Sequence, residues 1–349
     1  MATRQSPHSP LQSDNLRLHL SSALLAPALL AVLVTLGCSS STEPGHPTPQ
    51  LTHPAGNIDS TAAIPGNAHG IAIAPDGTML ITRVDSQDVV SGRANDFALG
   101  PVIKVGGAAV DVAITPDAHT AFIPMNSGPH IAIVDVRSAA MTGSLTIFSW
   151  PLRALVTPDG NHVYVTTTGG LSDTVSTVYD FDAHTHALID TMLVGEDANG
   201  ITYDATRKRL YVSARATSSV YEIDATQDVV LRRIPVGPLP QDIAVSPDGS
   251  ELWVATEGDA GVQIYDLVTG AFNQAVPNTS QAFGLAMTPD GAQVYITRNS
   301  VRQCAIIDAH THLVVKPFVT GFSPMRIAFN ATGSRAVITD GESGAVLIQ

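Results

Sequence analysis

One histidine and a set of arginines and carboxylates stand at matching places in this chain, each just ahead of an apolar run. His69-Gly70 precedes "IAIA", Asp111 precedes "VAIT" and Arg153 precedes "ALVT". Asn199-Gly200, Asp242, Gly284 and Arg326 precede "ITYD", "IAVS", "LAMT" and "IAFN". A second set closes the next apolar run: Arg83, Asn126, Arg215, Glu257, Arg298 with Asn299, and Asp340. Three chemistries are open to these residues. Asp111, Arg153, Asp242 and Arg326 could simply pair with one another. Arg153, Arg215, Arg298 and Arg326 could instead hold an anionic or small polar ligand, because guanidinium presents a planar fork of donors. Asp111, Asn199, Asp242 and Glu257 would complete such a ligand site. The third chemistry is catalytic. His69 titrates near neutrality and could serve as general acid or base, with Asp242 beside it. Asn199, Asp242 and Glu257 could offer oxygens to Ca²⁺ or another divalent cation.

Other chemistries lack their words. There is no G-x-S-x-G, no C-x-x-C-H, and no glycine-rich loop between a strand and a helix. Net charge is −13 with no basic run, so nucleic acid is not an expected partner. Cys304 lies inside an apolar pattern and reads as a small buried residue. The words "DAHTHALID" and "DAHTHLVVK" place His184 with His186 and His310 with His312. Each pair could share a metal, but their place in a recurring turn makes solvated turn residues the better reading.

Those candidates need a frame, and a repeat supplies it. The words "APDGTMLITR", "TPDGNHVYVT", "SPDGSELWVATE" and "TPDGAQVYIT" recur. Taking the proline place of the turn, the units fall at 75, 116, 158, 205, 247, 289 and 331, with steps of 41, 42, 47, 42, 42 and 42 residues. Each unit reads as an apolar strand, a Pro-Asp-Gly turn, a second strand, a third strand usually ending in Asp, and a fourth strand. Only 14% of residues are charged, and Gly and Pro are plentiful, which suits short strands and turns. Seven units of four antiparallel strands predict an all-β, seven-bladed β-propeller. The last unit lacks one strand, and "NIDSTAAIPG" near the start is a strand without a unit. It is expected to close the ring and leave no orphan edge.

Pro-Asp-Gly followed by "VYVT" or "VYIT", with an "IPVG" fourth strand, resembles the YVTN family of repeats over about residues 57 to 349. That resemblance implies a propeller of the bacterial or archaeal envelope. It also implies ligand binding on the face that carries the residues described first, around the central channel. Similar propellers include lactonases and lyases as well as plain binding modules, so a metal-assisted hydrolase or lyase stands beside a binding or scaffold role. The unit step of 47 adds five residues near "TTTGGLSDT" on that same face, as neutral drift or as a partial lid.

The N-terminus reads as an export signal over residues 1–37, with Arg4 and Arg17 ahead of "LHLSSALLAPALLAVLVTLG". Gly37-Cys38 resembles a bacterial lipobox, with Thr35 where Leu is usual. Lipidation of Cys38 is therefore expected, and the resemblance to bacterial lipoproteins implies that Ser39 after it favours the outer membrane. Residues 38–56, rich in Ser, Thr and Pro, read as a flexible tether. The expectation is a monomeric body, anchored through lipid, that meets an envelope protein or a small polar ligand.

Overall fold

The computed structural model describes residues 54–169 and 175–349. Seven four-stranded antiparallel sheets account for nearly all the secondary structure. Blade 1 runs Ala68–Ile73, Thr78–Arg83, Asp88–Arg93 and Ala98–Lys104, and the five blades after it follow the same meander. Blade 7 is assembled from both ends of the chain. Pro324–Phe329, Ala336–Asp340 and Gly344–Ile348 are joined by Ile58–Ala62, which pairs antiparallel with Gly344–Ile348. The ring is thus closed by the N-terminal strand, as the sequence implied.

The turn that repeats does local work. In Thr157-Pro158-Asp159-Gly160, proline presets its own φ, and Gly160 takes φ +74, a left-handed value that glycine adopts without strain. The Gly160 N–H donates to the Thr157 carbonyl at 2.8 Å. Asp159 accepts the Thr157 hydroxyl at 2.6 Å and the Asn161 N–H at 3.1 Å. The Asp that ends each third strand has a similar task. Asp182 accepts the N–H groups of His184 and Thr185, and Asp308 those of His310 and Thr311.

The core lies between blades rather than within them. Leu80, Val89 and Ile103 of blade 1 pack on Val112, Ala121 and Ile123 of blade 2. Trp253 and Ile264 of blade 5 pack on Leu285, Val294 and Ile296 of blade 6. Ile64, Ile81 and Val90 pack on Val337, Ala345 and Leu347 across the closure. Seven such clusters follow one another around the ring. This is why the unit must be repeated: one blade leaves both apolar faces wet, and only its neighbours cover them.

Two sequence readings need correction here. The sequence places residues 54–56 in the tether, yet Pro54 and Gly56 are buried. The Pro54 carbonyl accepts the Tyr295 hydroxyl, and Lys316 Nζ donates to the Ala55 carbonyl at 2.7 Å. The histidine words are also not uniformly solvated. His184 and His310 are exposed, but His186 packs edge-on against Phe122, and His312 against Trp253 at 5.3 Å. His312 Nε2 also lies 3.2 Å from a Glu251 oxygen. Both inner histidines have positive φ, 63 and 57, so the pair sits on a turn and not on an extended strand. Cys38 lies outside the described residues, as does most of the insertion read as a lid.

Candidate functional site

His69, Arg153, Asn199, Asp242 and Arg326 lie inside the first strands of their blades rather than ahead of them, and a backbone irregularity aims them at the channel. Pairing of first and second strands slips between Ala68 and Ile71, Pro151 and Arg153, Ala198 and Ile201, Pro240 and Asp242, and Pro324 and Ile327. A bulge of this kind re-aims side chains out of the strict alternation of a strand. Gly70 and Gly284 show how tight the ring is at this level. A Cβ on Gly70 would lie 2.6 Å from the Asp111 Cα, and one on Gly284 would lie 2.3 Å from the Met325 carbonyl oxygen.

A hydroxyl fastens most blades to the next. Thr82, Thr166, Ser213, Thr297 and Thr339 accept the N–H of Gly70, Arg153, Gly200, Gly284 and Arg326 on their own blades. Four of these hydroxyls also reach a carbonyl of the following blade: Thr166 to Asn199, Ser213 to Gln241, Thr297 to Met325, and Thr339 to His69. Blades 2 and 5 have Pro124 and Ala255 at that place and so have no hydroxyl. Those are the two blades that carry Asp111 and Asp242. The Asp111 carboxylate accepts the Ala154 N–H at 3.1 Å, and Asp242 accepts that of Leu285 at 3.1 Å. Each carboxylate therefore does the fastening that a hydroxyl does elsewhere.

Two buried carboxylates require counter-charge. Arg153 lies 3.4 Å from Asp111 and 3.4 Å from Asp242, and Arg326 lies 3.1 Å from Asp242. The mutual pairing anticipated from the sequence is present. Burial pushes the Asp111 carboxyl up, against the pull of Arg153 and the backbone N–H groups. Burial also draws Arg326 down to about 10, helped by the neighbouring Arg153 charge. For Arg153 burial is the largest influence and lowers it, but Asp111 and Asp242 together outweigh it and hold the guanidinium up.

A cavity of about 280 Å³ opens over this quartet, lined by His69, Arg153, Asn199, Arg215, Phe283 and Arg326 among others. One wall is a relay. Asn199 donates to Gln241 at 2.9 Å, Gln241 donates to Glu257 at 2.8 Å, and Arg215 donates to Glu257 at 2.7 Å. Arg215 also faces Asp197 at 3.6 Å. Burial opposes ionisation of Glu257, but the bonds from Arg215 and Gln241 prevail and hold it below the usual carboxylate range. The other wall is less satisfied. The Arg326 guanidinium lies 4.6 Å from the Phe283 ring centre, and His69 meets that ring edge-on at 6.4 Å. Arg153 Nη1, Arg215 Nε and Arg326 Nε are buried with no hydrogen-bond partner among the described residues, and Arg153 Nε has only the Asp111 carboxylate at 3.4 Å. His69 Nδ1 lies 2.7 Å from the Val110 carbonyl. A carbonyl can only accept, so Nδ1 carries the proton and Nε2 is left with its lone pair. Burial, then the Arg326 charge, hold His69 down to about 4, so the ring is neutral at ordinary pH.

Of the predicted site residues, His69, Arg153, Asn199, Arg215 and Arg326 line one cavity, with Asp111, Asp242 and Glu257 bonded to those linings. Arg298 does not join them. It donates to the Ser280 carbonyl at 2.7 Å and to Gln303 at 3.1 Å, and so secures its own blade. The cation alternative does not fit the donor set. Asn199 donates to Gln241, Asp242 is held by two guanidiniums and Leu285, and Glu257 is held by Arg215 and Gln241. Both Asp242 oxygens and one Glu257 oxygen are thus already in use, and no cluster of three or more acidic, histidine or cysteine side chains that could hold a metal occurs among the described residues. Asp197 was missed, although it stands two residues before Asn199. The hydroxyl latches were missed as well, although their spacing of 12 or 13 residues from the channel position is visible in the sequence.

No protein-family model matches the chain, and no curated protein matches it. Among solved structures it is similar to Kuenenia stuttgartiensis hydrazine synthase, with a TM-score of 0.73 and 17% identity. The match covers 84% of this chain and 98% of that one. At this identity the likeness carries the propeller fold alone. The likeness to YVTN repeats thus remains one of repeat words, with no family model behind it.

Proposed function

We propose that this propeller is a non-catalytic binding module whose ligand is a small polar molecule at the channel mouth. The observation that carries it is that three side chains lining one cavity, Arg153, Arg215 and Arg326, each hold a buried guanidinium nitrogen without a hydrogen-bond partner among the described residues. A buried donor without an acceptor costs about 1–3 kcal/mol. Here at least three side chains leave such donors around one space, and an acceptor-bearing ligand would relieve them together. The volume equals that of roughly nine waters. The fold suits the role, because a ring of packed blades holds these side chains on rigid elements. Catalysis by His69 has less support. A base held near 4 is weak at neutral pH, and the nearby carboxylates are committed to arginine.

The rest of the proposal comes from the sequence: export, lipidation at Cys38, and a tether that holds the body at the envelope, where a protein partner could also meet the rim. A fatty-acid analogue should label the full chain in cells and fail to label Cys38→Ala. Equal labelling of both would remove the anchor. For the site, thermal-shift screening of the full chain against small polar metabolites should give hits that vanish in Arg326→Met. Hits that persist in that variant would place binding elsewhere, and the absence of any hit would count against a small ligand.

A further inference from the structure

The charge of the cavity narrows the ligand that the proposed binding role requires. The groups around it are three guanidiniums, Arg153, Arg215 and Arg326, and four carboxylates, Asp111, Asp197, Asp242 and Glu257. His69 adds no charge. Of these carboxylates only Asp197 lines the cavity and the other three pair with the arginines from behind; with every carboxylate ionised the whole cluster is one negative, and with Asp111 protonated it is neutral. In neither state does it hold spare positive charge. An anion would thus give up its hydration for a site whose arginines are already matched, and the Coulomb gain that offsets such desolvation is missing. The arginines nevertheless have idle N–H groups, so they lack acceptors and not charge. Idle guanidinium donors are best met by a planar sp² oxygen, whose lone pairs lie in the plane of its carbonyl.

The second requirement comes from His69. Its Nδ1 proton is committed to the Val110 carbonyl. Its Nε2 has no hydrogen bond among the described residues and can act only as an acceptor. A ligand filling the same cavity meets idle donors from arginine and an idle acceptor from histidine. Phe283, which touches both the Arg326 and His69 side chains, supplies an apolar surface beside them.

We propose that the ligand is an uncharged amide-type molecule, with its carbonyl oxygen taken by Arg153 and Arg326 and its N–H given to His69 Nε2. This rests on the binding role proposed above and adds the ligand class. A carboxylate of the same shape fails on charge and has no donor for His69. An ester of the same shape is neutral but also lacks the donor. His69 is then the residue that selects amide over ester, and the arginine pair with its carboxylates selects neutral over charged.

Three probes of one shape separate these claims: benzamide, benzoate and methyl benzoate, titrated into the full chain by calorimetry or saturation-transfer NMR. Benzamide should bind about tenfold tighter than either of the others, the factor expected of one hydrogen bond. His69→Ala should bring benzamide to the level of methyl benzoate. His69→Gln, which restores a side-chain oxygen as acceptor, should recover part of the difference, and melting curves show whether each variant is folded. Benzoate binding tightest, with loss in Arg326→Met, would overturn the uncharged class while leaving the cavity as the binding site. Benzamide binding that ignores His69→Ala in a folded variant would overturn the role of His69. No binding by any probe would overturn the amide class, and the metabolite screen would then decide the binding role separately.

Discussion

Replacing Asp242 by alanine tests whether a carboxylate fastens blade 5 to blade 6. The Asp242 side chain is 7% exposed. Its removal strips the Leu285 N–H of its acceptor and leaves the half-buried Arg153 and the buried Arg326 to share Asp111 alone. Breaking a buried pair by removing one partner costs about 3–5 kcal/mol, and an orphaned N–H adds about 1–3. The two losses overlap, so a total of roughly 4 kcal/mol is expected. With a urea slope of about 3 kcal/mol/M, the midpoint should fall by about 1.3 M. Two double variants divide this total. Adding Arg326→Met removes one of the stranded charges and should return about 1 kcal/mol of coupling. Asp242→Gly with Ala255→Thr copies the Gly284 and Thr297 arrangement of blade 6. It should return about 1 kcal/mol through the latch hydroxyl while leaving the charge imbalance. A loss below about 1 kcal/mol for Asp242→Ala, or a double variant with Arg326→Met that is less stable than the single one, would refute the account.

The ring closure makes a second prediction. Thr339 accepts the Arg326 N–H at 3.0 Å and donates to the His69 carbonyl at 2.5 Å, so Thr339→Val should cost about 2 kcal/mol in urea unfolding. An unchanged midpoint would show that the hydroxyl does not fasten blade 7 to blade 1. A third prediction concerns pH and a joint between blades 3 and 4. Asp180 is fully buried beside His162, 2.9 Å away, with Asp228 and Tyr164 in the same cluster and Asp190 acting on Asp228. Burial pushes its carboxyl up to about 7, against the pull of His162. The folded protein then binds this proton more tightly than the unfolded chain does, so the group's contribution is complete below about pH 4. It is lost as pH rises through 7. Stability of the parent should therefore decline between about pH 4 and 7 relative to Asp180→Asn; parallel pH profiles would contradict that.

The repeat, the seven units and the closing strand were legible in the sequence because each rests on local grammar. Pro-Asp-Gly turns, strands of β-branched and aromatic residues and a fixed spacing are read without knowing what touches what. The channel-facing positions were legible for the same reason, since a repeat fixes register. The meaning of Asp111 and Asp242 was legible in principle, because each stands where the hydroxyl 13 residues later is replaced by Pro124 or Ala255. It went unread because the bond joins neighbouring blades, a partner that the sequence does not name. Arg298 stands one residue after the Thr297 hydroxyl and turns back to Ser280, whereas Arg215 stands two residues after Ser213 and reaches Glu257. His312 and His310 share one word, yet one packs on Trp253 and the other is exposed.

What the sequence determined by itself is the set of residues carried to the channel face, because strand period and unit length fix which way each position points. What only the tertiary structure decided is which of them are occupied and which are idle. Arg153 reaches across from blade 3 to Asp242 on blade 5, and Arg326 reaches the same carboxylate from blade 7. Those contacts depend on the diameter and closure of the ring, a sum over seven blades that no single repeat contains. The idle guanidinium nitrogens and the bare Nε2 of His69 are what remains after that sum, and they define what this site can bind.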